Sequence, residues 1–278
     1  MTEYKLRTRN VRKTYGSVVA LKAASIEMQE GEFLTLLGPS GSGKTTLLMA
    51  IAGLNNPDSG DIWIDGKLAN FLPPFKRDLG MVFQNYALFP HMNIFDNIAF
   101  PLRMRKMPMA LIRKEVARVL EIVELDHVAK RFPRELSGGQ QQRIALARCF
   151  VYKPSIILMD EPLGALDKKL RETLQREIKQ LHENLGITVL YVTHDQEEAM
   201  VMSDRICVMN DGSIDQIGTP NELYFQPSTM FSADFLGESN LFDAQVLEVG
   251  KDSVLMRGPA GMNVLGELKE PVKIGEQV

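Results

Sequence analysis

The stretch Gly38-Pro39-Ser40-Gly41-Ser42-Gly43-Lys44-Thr45 decides the fold of this 278-residue chain. It fits the pattern G-x-x-x-x-G-K-[ST], in which a glycine-rich loop between a strand and a helix curls around phosphate groups. The preceding residues, EFLTLL, have the composition of a buried strand, and the following residues, TTLLMAIAG, have that of a helix. The sequence therefore predicts a strand, a phosphate-binding loop and a helix in that order.

Each part of this loop has its own task toward a nucleotide. The glycines let successive backbone N–H groups point inward at the β- and γ-phosphates, and the helix after the loop adds the positive end of its dipole. Lys44 is expected to neutralise charge between those phosphates, and the Thr45 hydroxyl to bind Mg²⁺. The predicted nucleotide-binding residues here are Gly38, Pro39, Ser40, Gly41, Ser42, Gly43, Lys44, Thr45 and Thr46.

Two carboxylates end a second apolar run, Ile156–Met159. Asp160 is predicted to hold Mg²⁺ together with the loop hydroxyl. Glu161, at the tip of the same strand, is predicted to orient and polarise a water molecule for attack on the γ-phosphate. The alternative is that both carboxylates only end the strand and cap the next segment of the chain. The phosphate loop elsewhere in the chain argues against that alternative.

The composition is that of an ordinary soluble globular protein, with 45% hydrophobic and 24% charged residues. The length suits about two domains, and no run of about 18 apolar residues could span a bilayer. A net charge of −3 gives no electrostatic footprint for nucleic acid. Cys149 and Cys207 lie in apolar surroundings, which indicates two buried thiols in a reducing cytoplasm.

Strand-like runs alternate with helical stretches along most of the chain. The strand-like runs are KLRTRNV, ASIEM, EFLTLL, DIWID, SIILM, ITVLYVT and RICVMN. One amphipathic helix is indicated by apolar residues at helical spacing, namely Ile112, Val116, Val119, Leu120 and Val123. A charged helix is predicted from Lys168 to about Asn184. This alternation predicts an α/β fold with a largely parallel sheet.

We expect two domains. The first covers residues 1–236 and carries a mainly helical subdomain at about 90–150. Residues 237–278 contain the β-like runs DAQVLEV, SVLMR and MNVLGEL, separated by Gly-rich turns, and predict a small all-β, OB-like appendage. The chain stops inside such a pattern, so we expect the natural protein to continue past Val278.

The run Leu136-Ser137-Gly138-Gly139-Gln140-Gln141-Gln142-Arg143 lies just upstream of the Asp160–Glu161 strand end. It resembles the signature motif of the ATP-binding-cassette (ABC) transporter family, and the resemblance extends over about residues 4 to 235. It implies a P-loop ATPase domain that binds ATP and Mg²⁺ as a head-to-tail homodimer. Ser137, Gly138 and Gly139 of one chain would then close on the γ-phosphate held by the other. A plain serine N-cap is the alternative interpretation of SGGQ alone.

Four further residues take roles from this resemblance. Tyr15 is similar to the aromatic residue that stacks on adenine, and Gln84 to the glutamine that touches Mg²⁺ or the attacking water. Asp167 resembles the loop residue that crosses the dimer interface, although the family more often has serine in place of Gly164. His194 resembles the switch histidine that contacts the γ-phosphate. The implied catalytic residues are Glu161, His194 and Gln84, and the implied metal ligands are Thr45, Gln84 and Asp160.

Two stretches, Leu88–Phe100 and Ala233–Asn240, resemble importers of the polyamines putrescine and spermidine, and iron, sulfate, maltose and related sugar importers share much of both. In the family the first stretch receives a short cytoplasmic helix of the membrane subunit. The resemblance implies two transmembrane permease subunits and, indirectly, a periplasmic or extracellular solute-binding protein. It also implies a peripheral location at the cytoplasmic face of the inner or plasma membrane. The expected function is the ATP-driven motor of an importer for polyamines or a related small solute.

Two other functions compete with this interpretation. A soluble ABC-type ATPase acting on ribosomes or DNA would be expected to carry two cassettes in one chain or a long coiled-coil insert, and these 278 residues contain neither. A small-molecule kinase or a GTPase could share the phosphate loop. It would lack the signature motif and His194.

Overall fold

The computed structural model describes residues 4–164, 166–237, 239–268 and 271–278. The chain divides into two units, one ending at Ser232 and the other running from Ala233 to Val278. Glu238, in one of the two stretches that resemble polyamine importers, lies outside the described residues. Among the helices described, none combines the length and the apolar character that crossing a membrane requires.

Fourteen strands and eight α-helices are described. The strands are β1 (Leu6–Tyr15), β2 (Val18–Ala24), β3 (Glu27–Met28), β4 (Phe33–Leu37), β5 (Ser59–Ile64), β6 (Lys67–Leu68), β7 (Leu79–Val82), β8 (Ile156–Asp160), β9 (Thr188–Thr193), β10 (Arg205–Asn210), β11 (Ser213–Gly218), β12 (Gln245–Val249), β13 (Ser253–Arg257) and β14 (Asn263–Glu267). The helices are α1 (Lys44–Ala52), α2 (Ile94–Met104), α3 (Met109–Ile122), α4 (Gly138–Phe150), α5 (Lys168–Leu185), α6 (Gln196–Met202), α7 (Pro220–Phe225) and α8 (Met230–Leu236). Short 3-10 helices are described at Pro74–Lys76, Asp126–Val128, Pro133–Glu135 and Pro259–Gly261.

The centre of the first unit is a six-stranded sheet in the order β11-β10-β4-β9-β8-β7. β10, β4, β9, β8 and β7 run parallel to one another, and β11 joins the edge antiparallel to β10. Every residue of β4 and of β9 is buried, as strands covered on both faces should be. The predicted α/β fold with a largely parallel sheet is confirmed.

Successive residues of the central strands point into two separate hydrophobic cores, because side chains alternate between the faces of a sheet. Phe33 and Tyr191 belong to a core that also contains apolar residues of α2 to α5. Leu36 and Leu190 belong to a second core, shared with α1 and the N-terminal strands. The sheet is thus covered on both faces, and its loops emerge at its ends.

The N-terminal strands form a separate antiparallel sheet, in the order β2-β1-β5-β6 with β3 on β1. The prediction of one strand over ASIEM is wrong, because β2 ends at Ala24 and β3 begins at Glu27. The Thr8 side chain explains the break. Its hydroxyl donates to the Ala24 carbonyl and accepts from the Ile26 N–H, while the Thr8 N–H donates to the Ile26 carbonyl. The side chain thus takes the place of part of the backbone ladder there. β2, which comes after the turn at Tyr15, was not predicted from the sequence.

The helical predictions are confirmed at two places. The amphipathic pattern lies on α3, where Ile112, Val116, Val119 and Leu120 are buried. The charged helix is α5, Lys168–Leu185. The predicted burial of both cysteine thiols is also confirmed, while the reducing cytoplasm stays a prediction.

The second unit contains an antiparallel three-stranded sheet, β12-β13-β14. Its strands coincide with the three β-like runs predicted there. Val246 and Val254 are its buried aliphatic residues on neighbouring strands. The OB-like character of this unit stays a prediction.

Candidate functional site

The ends of the parallel strands bring the predicted site residues to one edge of the sheet. Leu37 of β4 pairs with Thr193 of β9, Asp160 of β8 pairs with Val192, and Val82 of β7 pairs with Met159. Ligands of open α/β sheets bind at this carboxyl edge. The residues that emerge here, at or shortly after the strand ends, are Gly38, Gln84, Glu161 and His194.

Close backbone packing requires glycine at two positions of the loop after β4. A Cβ on Gly38 would lie 2.1 Å from the Met209 carbonyl oxygen, a distance that real Cβ atoms do not reach. Gly43 has φ +98°, and a Cβ there would lie 2.5 Å from the Ala20 carbonyl oxygen. The loop therefore packs closely between β10 and β2.

The start of α1 presents free backbone donors. Gly43 is its N-cap and supplies no side-chain cap, so the first N–H groups of the helix lack a side-chain acceptor. The Ser42 hydroxyl is buried and has no hydrogen-bond partner in the described part of the chain. An uncapped helix start beside an unpaired buried hydroxyl is suited to an anionic group such as a phosphate.

Lys44 bridges the loop from inside. Its Nζ donates to the carbonyls of Gly38 and Pro39, at 2.8 Å each. Burial lowers the pKa of Lys44, and the nearby negative charges of Glu161 and Asp160 oppose that effect. The Lys44 side chain therefore ties the two carbonyls together at the centre of the loop.

Thr45 and Asp160 meet where a metal ion is predicted. Thr45 Oγ1 donates to Asp160 Oδ1 at 2.9 Å, and burial raises the pKa of the Asp160 carboxyl. Within the described residues, no group of three or more His, Cys, Asp and Glu side chains could hold a metal by itself. A hydroxyl and one carboxylate nevertheless fit Mg²⁺, which prefers oxygen ligands and usually keeps waters or phosphate oxygens for the rest of its shell.

Glu161 and His194 face each other beside this pair. His194 Nδ1 lies 3.1 Å from Glu161 Oε2. The Glu161 backbone has φ +43°, an uncommon conformation for a non-glycine residue, and its N–H donates to the Val192 carbonyl. A Cβ built on Gly164 would lie 3.8 Å from Glu161 Oε2 and 3.9 Å from Gln84 Nε2, which puts Gln84 in the same cluster. A serine would fit at Gly164 at ordinary contact distance.

This edge of the sheet can be compared with known proteins. A family described as "ABC transporter" matches residues 21–164, slightly more than half of the chain. The chain belongs to the ABC transporter family. Membership makes it an ATP-binding, ATP-hydrolysing subunit of a transporter.

Curated relatives in the ABC transporter family are about half identical to this chain. The "Spermidine/putrescine import ATP-binding protein PotA" of Nitrosomonas eutropha is 50% identical over 273 residues, covering 98% of this chain and 75% of the relative. The protein of the same name from Bacillus anthracis is 53% identical over 236 residues, covering 85% of this chain and 72% of the relative.

Solved ABC transporter structures resemble the fold. The cbiO1 subunit from Clostridium perfringens, described as part of the transporter complex cbiONQ, gives a TM-score of 0.74 at 29% identity, covering 80% of this chain and 90% of that one. The ABC transporter cassette MJ0796, described as dimeric, gives 0.69 at 37% identity, covering 77% and 98%. A second MJ0796 structure is described as a post-hydrolysis state bound to ADP and Pi.

The run that resembles the family's signature motif, Leu136–Arg143, leads into and begins α4. Ser137 is the N-cap, and its hydroxyl accepts from the Gln140 N–H at 3.4 Å. A Cβ on Gly139 would lie 3.1 Å from Leu170 Cδ1, so the glycine leaves room for the Leu170 side chain of α5. Within the described residues, no recorded hydrogen bond joins Ser137, Gly138 or Gly139 to the phosphate loop. Ser137 thus acts as the N-cap of α4, and its role toward ATP stays a prediction.

The partners described for Asp167 and Tyr15 are residues outside the phosphate loop. Asp167 is the N-cap of α5, and its carboxylate accepts from the Leu170 N–H at 3.1 Å. Tyr15 is 47% exposed, its hydroxyl accepts from Asn55 Nδ2 at 2.9 Å, and Lys13 Nζ lies 5.5 Å from its ring centroid. The exposed ring is free to stack on a planar group.

Sequence reasoning missed a polar cluster directly behind His194. Arg171, Asp195 and Glu198 form it, with Arg171 contributed by α5 and the two carboxylates by the start of α6. One signal was available, because Asp195 precedes α6 as a typical N-cap. No such signal marked Arg171 in the sequence, because its partners lie 24 and 27 residues further along the chain.

Proposed function

We propose that this chain is the energy-coupling ATPase subunit of an importer for polyamines such as putrescine and spermidine. The observation that carries the proposal is the convergence of the phosphate loop, Asp160, Glu161 and His194 at one sheet edge. The name shared by relatives at 50–53% identity supports the cargo class. The chain does not touch the cargo in this scheme, so cargo is inferred through ancestry alone.

ATP binding begins with the preformed loop. Backbone N–H groups between Ser40 and Thr46 surround the β- and γ-phosphates, and the Lys44 ammonium supplies positive charge between them. The unpaired Ser42 hydroxyl supplies a further donor. Adenine stacks on the exposed Tyr15 ring, an arrangement in which two π-faces exclude water from each other.

Mg²⁺ would be held by Thr45, Asp160 and Gln84. The hydrogen bond between the first two places both oxygens together, and Gln84 lies near Glu161. When bound, the ion would neutralise charge on the β- and γ-phosphates.

Hydrolysis uses Glu161 as the base. Its carboxylate orients a water molecule and accepts a proton from it as the water oxygen bonds to the γ-phosphorus. The bond between that phosphorus and the bridging oxygen breaks, and ADP keeps the electron pair. His194, 3.1 Å from Glu161, holds the carboxylate in position and contacts the γ-phosphate.

A second copy of the chain completes the site. Ser137, Gly138 and Gly139 form another helix start. The Ser137 N–H bonds to Gln140 Oε1, so the N–H groups of Gly138 and Gly139 would be the donors to an anion there. In a head-to-tail dimer this helix start closes on the γ-phosphate of the facing chain, with Asp167 at the interface. The dimeric description of a 37%-identical cassette supports this arrangement.

Two permease subunits receive the resulting motion at the segment after Gln84. Asn97 of α2 is fully buried, and its side chain donates to the carbonyls of Phe89, Met92 and Asn93 and accepts from the Phe89 N–H. This fixes an apolar surface in which the Phe89 and Phe100 rings lie 4.8 Å apart. A short helix of the permease docks there, which keeps the chain at the cytoplasmic face of the membrane.

The proposal is tested by reconstituting the chain with its permease subunits and solute-binding protein in proteoliposomes. ATP hydrolysis should rise severalfold when the binding protein carries spermidine or putrescine, and a Glu161→Gln complex should show no rise. Stimulation by iron, sulfate or maltose instead would overturn the polyamine assignment. ATP hydrolysis that is indifferent to every solute would overturn the importer function.

A further inference from the structure

We infer that Arg171 is a positioning residue that ties the Asp167 loop, the segment Leu166–Asp167 just before α5, to His194. Loop and histidine would then move as one unit. The functional role of this coupling rests on the proposed function, which assigns Asp167 to the dimer interface and His194 to the γ-phosphate. The coupling itself rests on the hydrogen bonds and ion pairs around the Arg171 guanidinium.

The first link runs from Arg171 to the residue after the histidine. Arg171 Nη1 donates to Asp195 Oδ2 at 2.9 Å. The other carboxylate oxygen of Asp195 accepts from the Glu198 N–H and caps α6. Both side chains are only about a quarter exposed, so the ion pair is partly shielded from water and constrains the backbone just after His194.

The second link fixes the residue before the histidine. The Thr193 hydroxyl donates to Glu198 Oε2 at 2.7 Å and accepts from the Asp195 N–H at 3.0 Å. Tyr191 also donates to Glu198 Oε2, at 2.8 Å. Glu198 is almost fully buried, and Arg171 Nε lies 3.8 Å from its other oxygen. A buried carboxylate needs such partners, since an unpaired one is strongly disfavoured.

The third link reaches the loop. Arg171 Nη2 donates to the Leu166 carbonyl at 3.1 Å, and Leu166 immediately precedes Asp167. One planar guanidinium thus contacts the loop with one nitrogen and the histidine segment with another. Lysine cannot reproduce this, because its ammonium lacks the rigid fork.

Hydrogen bonds therefore hold the residues before and after His194, Thr193 and Asp195. Arg171, which bonds to Asp195, also bonds to the loop. If the Leu166 carbonyl moves, the Arg171 guanidinium moves with it. The hydrogen bond that Arg171 donates to Asp195 then changes its geometry. That change alters the position of His194 relative to Glu161, at the present separation of 3.1 Å. In the proposed dimer, closure at Asp167 would align the histidine for hydrolysis.

The test compares Arg171→Leu with Arg171→Leu in a His194→Ala background, using the full chain. Alone, Arg171→Leu should lower kcat roughly tenfold, as expected for coupled residues, with KM and nucleotide affinity within about twofold of wild type. In the His194→Ala background the same change should add less than about twofold. Arg171→Lys should give an intermediate kcat. The matched control is Arg176→Leu, at an exposed position of α5 whose side chain, in the part of the chain that the structure describes, bonds to the Glu172 carbonyl of the same helix.

Equal loss of kcat in both backgrounds would overturn the inference, because it would mean that Arg171 acts on stability alone. A readout independent of turnover uses NMR of histidine-labelled chain. Arg171→Leu should move the His194 imidazole signals toward those of Glu161→Gln, and unchanged signals would also overturn the inference. If the wild-type chain hydrolyses no ATP, the proposed function fails while the NMR comparison still decides the coupling.

Discussion

The ammonium group of Lys44 illustrates how single residues serve the site. It is almost fully buried, and its two recorded hydrogen bonds go to carbonyls of its own loop. A buried cation favours any anion that can reach it, because the anion replaces hydration that burial removed. The sequence predicts that this residue meets phosphates. It does not predict that the residue also holds the loop curled.

Replacing Lys44 tests where the phosphates bind. Lys44→Ala should weaken ATP binding by roughly 10- to 100-fold, as expected for loss of a hydrogen bond to a charged group. Titration calorimetry or fluorescent-nucleotide displacement measures this directly. Lys114→Ala, on the exposed side of α3, should leave the dissociation constant unchanged. Unchanged affinity in Lys44→Ala would mean that the phosphates bind elsewhere.

At the scale of elements, Arg77 connects the helix of the phosphate loop to the segment that leads into β7. Arg77 is 3% exposed, and its Nη1 donates to the carbonyls of Ala50 and Ile51 at the end of α1. Those carbonyls have no partner within the helix. A Cβ on Gly53 would lie 2.5 Å from Arg77 Nε, so glycine is needed to admit the guanidinium.

Removing this side chain should loosen α1. Arg77→Met removes a donor from the Ala50 and Ile51 carbonyls, although the Ala50 carbonyl keeps its hydrogen bond from the Gly53 N–H. The loss should lower the free energy of unfolding by about 1–3 kcal/mol. Urea denaturation followed by circular dichroism gives the value. Arg113→Met, at an exposed position of α3, should change it by less than about 0.5 kcal/mol. A loss that small at Arg77 itself would contradict the assigned role.

Which elements could be predicted depends on the range of the contacts that define them. β4, β8 and β9 are short buried runs, so local composition identifies them. The break near Ile26 is set by Thr8, which lies 18 residues earlier. The ties made by Arg77 and Arg171 depend on partners that only the folded chain brings together. The site motifs were therefore predictable, while the side chains that hold them in place were not.

At the scale of the whole molecule, each chain carries two helix starts that we propose to bind phosphate, and no hydrogen bond joins them in the described residues. The phosphate loop provides one, at α1, and Ser137 provides the other, at α4. In a head-to-tail dimer, the α4 start of one chain would lie at the α1 start of the other. The central claim is thus that one chain holds half of an ATP site and that ATP joins two chains.

Light scattering of the Glu161→Gln variant at saturating MgATP tests that claim most directly. The substitution removes the base and keeps the shape of the side chain, so ATP should bind without being hydrolysed. The expected result is a doubling of mass on adding MgATP, reversed by adding Ser137→Arg to the same chain. A monomer at saturating MgATP would contradict the two-chain site.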